Sequence, residues 1–344
     1  MEKFMRKIGN VLYLIDDSQL NVESGAILLT KSDGSKSKFP PSLIESIVIF
    51  GNTTISSQVI RFCSQNNILL SYVSMYGKLY GTFYGEFNRC ILLRKKQYDM
   101  YNTEQAFNVS KNIMLAKFLN SKNILLQSAK DATNNEIKNI LIDNANKISS
   151  LKDKFLNCSK DDELMGIEGL VAQIYFSSFD YMIKTKNENM KFVERSKRPP
   201  LNYCNAMLSF FYTLFTNDIT SALETQGLDA YLGYNHKLHS GRQSLSLDIL
   251  EEFRESIIDK FVITLINRNQ INENDFENKE QGIRFTDDSR KKVLKLWEDY
   301  KNTTIEHKLL KINVEIKLLP YIQSQFIAQY IRGDIEQYPP FTRW

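Results

Sequence analysis

Short apolar runs separated by polar turns dominate the first 88 residues of the chain. Runs of this kind are typical of β-strands. An Asp33-Gly34 pair lies between two of the runs and predicts a hairpin turn. Residues 56–66 instead carry apolar side chains at helical spacing, with Ser56 as the predicted N-cap. The pattern therefore predicts a small N-terminal β-rich domain over residues 1–88, with strands at 11–15, 26–30, 35–39, 47–50, 68–73 and 79–84.

The spacing of apolar residues along the chain changes after Cys90. Apolar residues then recur three to four positions apart, as at Ile137, Ile140 and Leu141, which is typical of amphipathic helices. Further helices are predicted over residues 161–184, 203–225, 247–267, 287–302 and 305–333. We predict a linker at 89–95 and a larger all-α-helical catalytic domain at 96–344, so the predicted fold class is α+β.

Composition narrows the classes of function. The 344 residues carry a formal net charge of only +4, so a nucleic-acid site has to come from local clusters of Lys and Arg. The four cysteines are far apart and form no C-x-x-C pair, which argues against a zinc ribbon or a disulfide framework and favours a reducing cytoplasm. Residues 1–10 lack the apolar stretch of a signal peptide, and no apolar run approaches the roughly 20 residues of a membrane span.

Two of the three histidines, His236 and His239, lie in a polar loop flanked by glycines. A helix that begins near Leu247 places Asp248 and Glu251 on one face, with Glu252 at its edge. Carboxylate oxygens suit Mg²⁺ and Mn²⁺, and one imidazole shifts the preference towards Mn²⁺. Acidic residues in the first turn of a helix also interact with the helix dipole, so the cluster alone leaves a structural role open.

Glu168 lies between Gly166 and Gly169 in a helical pattern. Two glycines inside a helix cost about 1 kcal/mol each relative to alanine. The close approach of another backbone or of a ligand would offset that cost. A tight helix crossing with a solvent-exposed Glu168 is the structural alternative.

Basic residues are candidates for contacts with phosphate groups. Arg242 and Arg254 flank the histidine and carboxylate cluster, and Lys237 follows the first histidine. Arg195 and Arg198 precede a Pro-Pro pair. Because most charged runs are simply solvated surfaces, the two arginines beside the cluster are the preferred DNA contacts.

Three groups of motifs carry a family resemblance, which extends over nearly the whole chain. These are Met165-Gly-Ile-Glu-Gly169, Arg198-Pro-Pro-Leu-Asn202 with Asn205-Ala-Met-Leu-Ser-Phe210, and the long stretch from Gly227 to Gln270. In these motifs the sequence resembles the CRISPR-associated endonuclease family that catalyses spacer acquisition (the Cas-one family), and it is most similar to subtype I-C members. The resemblance implies a prokaryotic protein with an N-terminal β domain and a C-terminal helical domain.

The resemblance also implies a site. The family's metal ligands are a glutamate, a histidine and a further carboxylate, which correspond here to Glu168, His236 and Glu251. Asp248 then supports a ligand or holds a water molecule. Asn235 departs from the family pattern, which has an apolar residue before the histidine, and His239 stands where a basic or polar residue is usual.

The activity that the resemblance implies is integration of DNA. With Mg²⁺ or Mn²⁺, a homodimer joins a small second adaptation subunit and inserts foreign DNA fragments beside the CRISPR leader by transesterification. A Cas-four-type nuclease is a further expected partner. Two alternatives stay open: a DNA-binding scaffold with a degenerate site, and a zinc hydrolase that uses His236, His239 and Glu251.

Overall fold

The computed structural model describes residues 10–14, 17–49, 53–73, 79–83, 85, 91–196, 199–279 and 282–344. The chain divides into two compact units. One comprises Met1–Lys95 with Thr220–Asp229, and the other comprises Lys96–Ile219 with Ala230–Trp344. None of the described helices is long and apolar enough to cross a membrane.

The first unit contains two four-stranded sheets. Its strands are β1 (Asn10–Leu14), β2 (Ser18–Glu23), β3 (Ala26–Lys31), β4 (Lys36–Phe39), β5 (Ile44–Ile49), β6 (Thr53–Ile55), β7 (Leu69–Val73) and β8 (Leu79–Phe83). One sheet has the order β1-β5-β7-β8 and the other β4-β3-β2-β6. The six predicted strands are confirmed over the described residues, with residues 15, 50 and 84 of those predictions outside them, whereas β2 and β6 lacked a clear apolar run and were not predicted.

Local features of this unit follow the sequence closely. The β3–β4 hairpin turns at Asp33-Gly34, where Gly34 has a φ of +79°. Helix α1 (Ser57–Gln65) buries Val59 and Cys63 in the core of the unit. Ser56 is its N-cap residue, as predicted, but the hydroxyl makes no capping hydrogen bond.

The second unit is mostly helical. Its helices are α2 (Ile91–Asp99), which begins in the first unit, α3 (Glu104–Lys130), α4 (Asn135–Ser150), α5 (Lys152–Leu156), α6 (Asp161–Ser177), α7 (Tyr203–Thr225), which ends in the first unit, α8 (Ser244–Leu250), α9 (Lys260–Asn267), α10 (Asp287–Lys301) and α11 (Leu319–Arg332). A π-helical segment, Arg254–Asp259, lies between α8 and α9. The combination of a β-rich N-terminal region and a mostly helical domain confirms the predicted fold class.

Residues 91–95 of the predicted linker are helical and begin α2, where Arg94 donates a hydrogen bond to the Gly227 carbonyl 3.0 Å away, and residues 89 and 90 lie outside the described residues. One detail of the predicted organisation is wrong. The helical domain is not all-α, because β9 (Phe276–Lys279) pairs with β10 (Gly282–Phe285), and β11 (Thr304–His307) pairs with β12 (Ile312–Glu315). The second hairpin occupies the start of the helix predicted over 305–333. The exact domain boundaries stay a prediction.

Candidate metal centre

Glu168 and Glu251 meet at the side chain of Lys117. Glu168 lies on α6, Glu251 follows the last turn of α8, and Lys117 projects from α3. The Lys117 ammonium contacts Glu168 Oε1 and lies 2.8 Å from Glu251 Oε2. The side chains of Lys117 and Glu251 are only 8% and 4% exposed, whereas that of Glu168 is 29% exposed. The two carboxylates, distant in the sequence, therefore converge at the edge of the helical core.

Asp248 fixes the position of His236. Its carboxylate accepts the backbone N–H groups of Tyr234, Asn235 and His236 at 2.6, 3.0 and 2.9 Å. The same carboxylate lies 2.6 Å from His236 Nδ1. A bond from Nδ1–H to a carboxylate favours the tautomer that leaves the Nε2 lone pair free, which is the arrangement common in metal-binding histidines.

Gly233 allows this loop to lie against the start of α8. A Cβ at this position would approach the backbone of Ser244 to 2.6 Å and Asp248 Oδ2 to 2.7 Å. Any side chain would therefore push the loop away from the carboxylate that holds it. The glycine explains why His236 can be placed by a residue of the following helix.

The environment of Glu251 keeps its carboxylate ionised. Burial raises the pKa of Glu251, but the positive charges of Arg254 and Lys117 oppose this effect and lower the pKa to about 2. Arg254 Nη2 lies 3.0 Å from Glu251 Oε1, and its guanidinium stacks over the Tyr212 ring at 4.7 Å.

Two further carboxylates continue the acidic face beyond Glu251. Asp248, Glu251, Glu255 and Asp259 follow one another at helical spacing, and all four are buried. Burial raises the pKa of Glu255 to about 8 and that of Asp259 to about 6. Asp259 accepts hydrogen bonds from the hydroxyls of Tyr175 and Tyr212 at 2.9 and 2.6 Å. Sequence reasoning missed this extension, although the spacing of the acidic residues signalled it.

Comparison with known proteins shows the family of the chain. Residues 12–299 match the family described as CRISPR associated protein Cas1. The chain belongs to the Cas1 family. A CRISPR-associated endonuclease Cas1 of Chlorobaculum tepidum is 36% identical over 98% of this chain and 99% of its own length. One from Moorella thermoacetica is 32% identical over 98% and 99% of the two chains.

Solved structures agree with the family assignment. A Cas1 protein from Thermotoga maritima aligns with a TM-score of 0.77 and 25% identity, over 94% of this chain and 97% of that one. A casposase bound to integration product aligns with a TM-score of 0.75 at 19% identity, over 96% and 93% of the two chains, which shows a shared fold. A Cas6-RT-Cas1–Cas2 complex contains a chain of the same fold, with a TM-score of 0.76 and 20% identity over 98% of this chain and 36% of that one.

A further relative by sequence is a Cas4/Cas1 fusion from Geobacter sulfurreducens, which is 29% identical over 86% of this chain and 53% of the fusion.

The donor chemistry of this Cas1-family site fits a divalent cation. Two carboxylates already share one cation, the Lys117 ammonium. Oxygen donors with an imidazole beside them suit Mg²⁺ or Mn²⁺. In their present positions, no three His, Cys, Asp or Glu side chains of the described ranges are grouped to hold a metal ion. Lys117 occupies the space between the carboxylates, so a metal would have to compete with it.

Glu252 does not lie at the edge of the site, contrary to the prediction. Its buried carboxylate accepts hydrogen bonds from the Tyr338 hydroxyl at 2.6 Å and the Phe341 backbone at 2.7 Å. A third hydrogen bond comes from Gln323 at 2.8 Å. Glu252 therefore attaches the C-terminal segment to α8, while its neighbour Glu251 faces Lys117.

The predicted basic residues divide into exposed and inward-facing groups. Lys237 and Arg242 are exposed on the loop that carries His236. Arg254 pairs with Glu251, and Arg195 donates a hydrogen bond to Asn205 Oδ1 at 2.7 Å. Arg198 lies outside the described residues.

His239 takes no part in the group of side chains around Lys117. It is exposed, and its Nδ1 lies 2.9 Å from the carbonyl oxygen of the adjacent Ser240. This position gives no support to a zinc site built from His236, His239 and Glu251.

The two glycines beside Glu168 do not pack against the protein. A Cβ at Gly166 or Gly169 would meet no other heavy atom within 4 Å among the described residues. The structural alternative, a tight helix crossing at these glycines, therefore finds no support, and the exposed backbone leaves room for a ligand.

We expect Gly166→Ala and Gly169→Ala each to raise the free energy of unfolding by up to about 1 kcal/mol, because alanine favours the helix and meets no obstacle. Urea unfolding monitored by circular dichroism measures this effect. Destabilisation by either substitution would show that the face is packed after all. Loss of DNA binding in a variant of higher stability would show that nucleic acid approaches this face.

Proposed function

We propose that this chain is a metal-dependent DNA endonuclease and integrase of CRISPR adaptation. It would insert foreign DNA fragments as new spacers by phosphodiester transesterification. The convergence of Glu168 and Glu251 at Lys117 is the observation that carries the proposal. The family and the endonuclease names of its relatives support it.

Glu168, His236 and Glu251 would hold Mg²⁺ or Mn²⁺. The metal, when bound, supplies a Lewis acid that neutralises charge on a scissile phosphate. Asp248 keeps the imidazole in its orientation and in the tautomer that offers Nε2. Arg254 and Lys117 keep Glu251 ionised, so this carboxylate is ready to bind a cation at neutral pH.

Lys237 and Arg242 are the side chains that we propose to hold DNA phosphates near the site. Both are exposed on the loop of His236, whereas Arg195 and Arg254 are engaged by groups of the protein. For Arg242→Ala we expect weaker duplex binding and a salt dependence reduced by about one ionic contact. Fluorescence anisotropy at several salt concentrations measures both, and an unchanged salt slope would contradict the assignment.

The proposed assembly follows the expectations from the sequence. We propose a homodimer that joins a small second adaptation subunit, with a Cas4-type nuclease as a further partner and subtype I-C as the system. The Cas6-RT-Cas1–Cas2 complex and the Cas4/Cas1 fusion among the similar proteins support these partners. A DNA substrate of this kind implies a location in the prokaryotic cytoplasm.

Metal removal tests the proposal directly. We expect EDTA to stop cleavage of branched and duplex DNA, and added Mn²⁺ to restore it, while duplex affinity stays within a few-fold because exposed basic residues supply most of the binding. Cleavage is measured on labelled DNA, and affinity by anisotropy in the same buffers. Duplex binding without cleavage under every metal condition would favour the scaffold alternative instead.

A further inference from the structure

Lys117 is an unusual residue for its position on α3. It lies on the buried face of the helix, together with Ile113, Met114 and Asn120. Burying an ammonium group is costly unless opposite charges and hydrogen bonds compensate for the lost solvation. Here the compensation comes from Glu168 and Glu251, both in contact with the ammonium, and Glu251 is itself almost fully buried.

These contacts make Lys117 and the proposed metal alternatives for the same oxygens. Without a cation between them, Glu168 and Glu251 would repel each other at the edge of a low-dielectric core. With the ammonium in place, their charges are balanced and their positions are fixed. An ammonium and a divalent cation that use the same two carboxylates also repel each other.

We propose that Lys117 is a positioning residue that acts as a tethered cation: it holds Glu168 and Glu251 together in the metal-free protein and competes with the divalent metal for them. The inference rests on the proposed function and extends it to the metal-free state. Lys117 thereby preserves the arrangement of the carboxylates between metal-binding events. It also sets a minimum metal concentration for loading of the site.

Substitution by methionine, which is unbranched and uncharged, tests this role in the full chain. For Lys117→Met we expect at least about a tenfold tighter Kd for Mn²⁺, since a repelling unit charge is removed. In EDTA the unfolding midpoint should fall below that of the wild type, and saturating Mn²⁺ should close most of the gap. Titration calorimetry without DNA gives the Kd, and thermal unfolding gives the midpoints.

Lys301 provides a matched control. It is also a buried lysine with two carboxylate partners, Asp218 at 2.9 Å and Glu298 at 3.1 Å. Lys301→Met should lower the unfolding midpoint by the same amount in EDTA and in saturating Mn²⁺, and it should leave the Kd for Mn²⁺ unchanged. Lys117→Arg keeps the charge. It should therefore keep the wild-type stability in EDTA and bind Mn²⁺ as weakly as the wild type does.

A double variant separates charge balance from packing. If Lys117→Met is too unstable to purify in EDTA, Lys117→Met combined with Glu168→Gln should restore the metal-free protein, because one of the repelling carboxylates is gone. A double variant as unstable as the single one would overturn the proposal.

The outcomes also separate this inference from the proposed function. Mn²⁺ binding by the wild type with equal or weaker binding by Lys117→Met would overturn the role of Lys117 alone. Absence of Mn²⁺ binding in the wild type and in both Lys117 variants would overturn the metal-dependent function, and the competition with it.

Discussion

Replacement of His236 by alanine is expected to lower the rate of Mn²⁺-dependent DNA cleavage and strand transfer by about a thousandfold, because loss of a ligand removes several kcal/mol of charge stabilisation. The side chain of His236 is 20% exposed, its Nδ1 lies 2.6 Å from Asp248, and none of the described hydrogen bonds uses Nε2. The unfolding midpoint of the variant shows whether it folds like the wild type. The rate is measured on a labelled branched substrate with the partner subunit present.

His239→Ala is the matched control for this prediction. His239 lies three residues further along the same loop, is exposed, and contacts only its neighbour Ser240 among the described hydrogen bonds. We expect its removal to change the rate by less than a few-fold. If the two histidine variants lose activity equally, the loop as a whole matters, and His236 has no separate role as a ligand.

Glu168→Ala extends the same argument to the other side of the site, with Glu163→Ala as its control. Both glutamates lie on α6, but Glu163 is exposed and accepts a hydrogen bond from the backbone of Ser159, away from Lys117. Activity of Glu168→Ala within a few-fold of the wild type would contradict the ligand assignment.

The hydrophobic pattern predicted the main elements because most of them bury one face. The bounds of α7, Tyr203–Thr225, agree with the prediction, and α10 differs by one residue at its end. The β11–β12 hairpin was missed because its strands have only four residues each, and Ile305 and Ile312 alone resemble a helical repeat. Such short strands are defined by their pairing, which a local pattern does not contain.

The site was predicted only in part, for a similar reason. The family resemblance implied Glu168, His236 and Glu251 as ligands through motifs within single segments, and Asp248 came from one of the same motifs. Lys117 was missed because nothing near it in the sequence carries the opposite charge; its partners lie on α6 and at the end of α8. A lysine on the apolar face of a helix was the only available signal.

Helical spacing also failed to predict which groups the Glu252 side chain contacts. The sequence placed it at the edge of the face shared by Asp248 and Glu251. In the structure it faces Tyr338 and Phe341, on a segment far along the chain. A local pattern can show that a carboxylate is buried, but only the tertiary fold supplies the donors that make its burial tolerable.

Asp248→Asn is expected to weaken Mn²⁺ binding and slow DNA cleavage by about 10- to 100-fold, the usual effect of removing a group that orients a metal-binding histidine. The carboxylate receives three backbone N–H groups and the imidazole on its two oxygens. An amide offers only one oxygen, so some of these donors lose their acceptor. The loop should then hold His236 less firmly, with the wrong tautomer favoured.

Asp275→Asn serves as the control for this substitution. Asp275 is also buried and accepts a backbone N–H from Asn272 at 2.9 Å and the Ser289 hydroxyl at 2.8 Å, but none of its described contacts involves the site. Both variants should lose stability, and only Asp248→Asn should lose metal affinity. The decisive measurements are the Kd for Mn²⁺ and the unfolding midpoint of each variant, both compared with those of the wild type. If metal affinity falls in proportion to stability in both, Asp248 is a structural residue of the loop and does not orient His236 for metal binding.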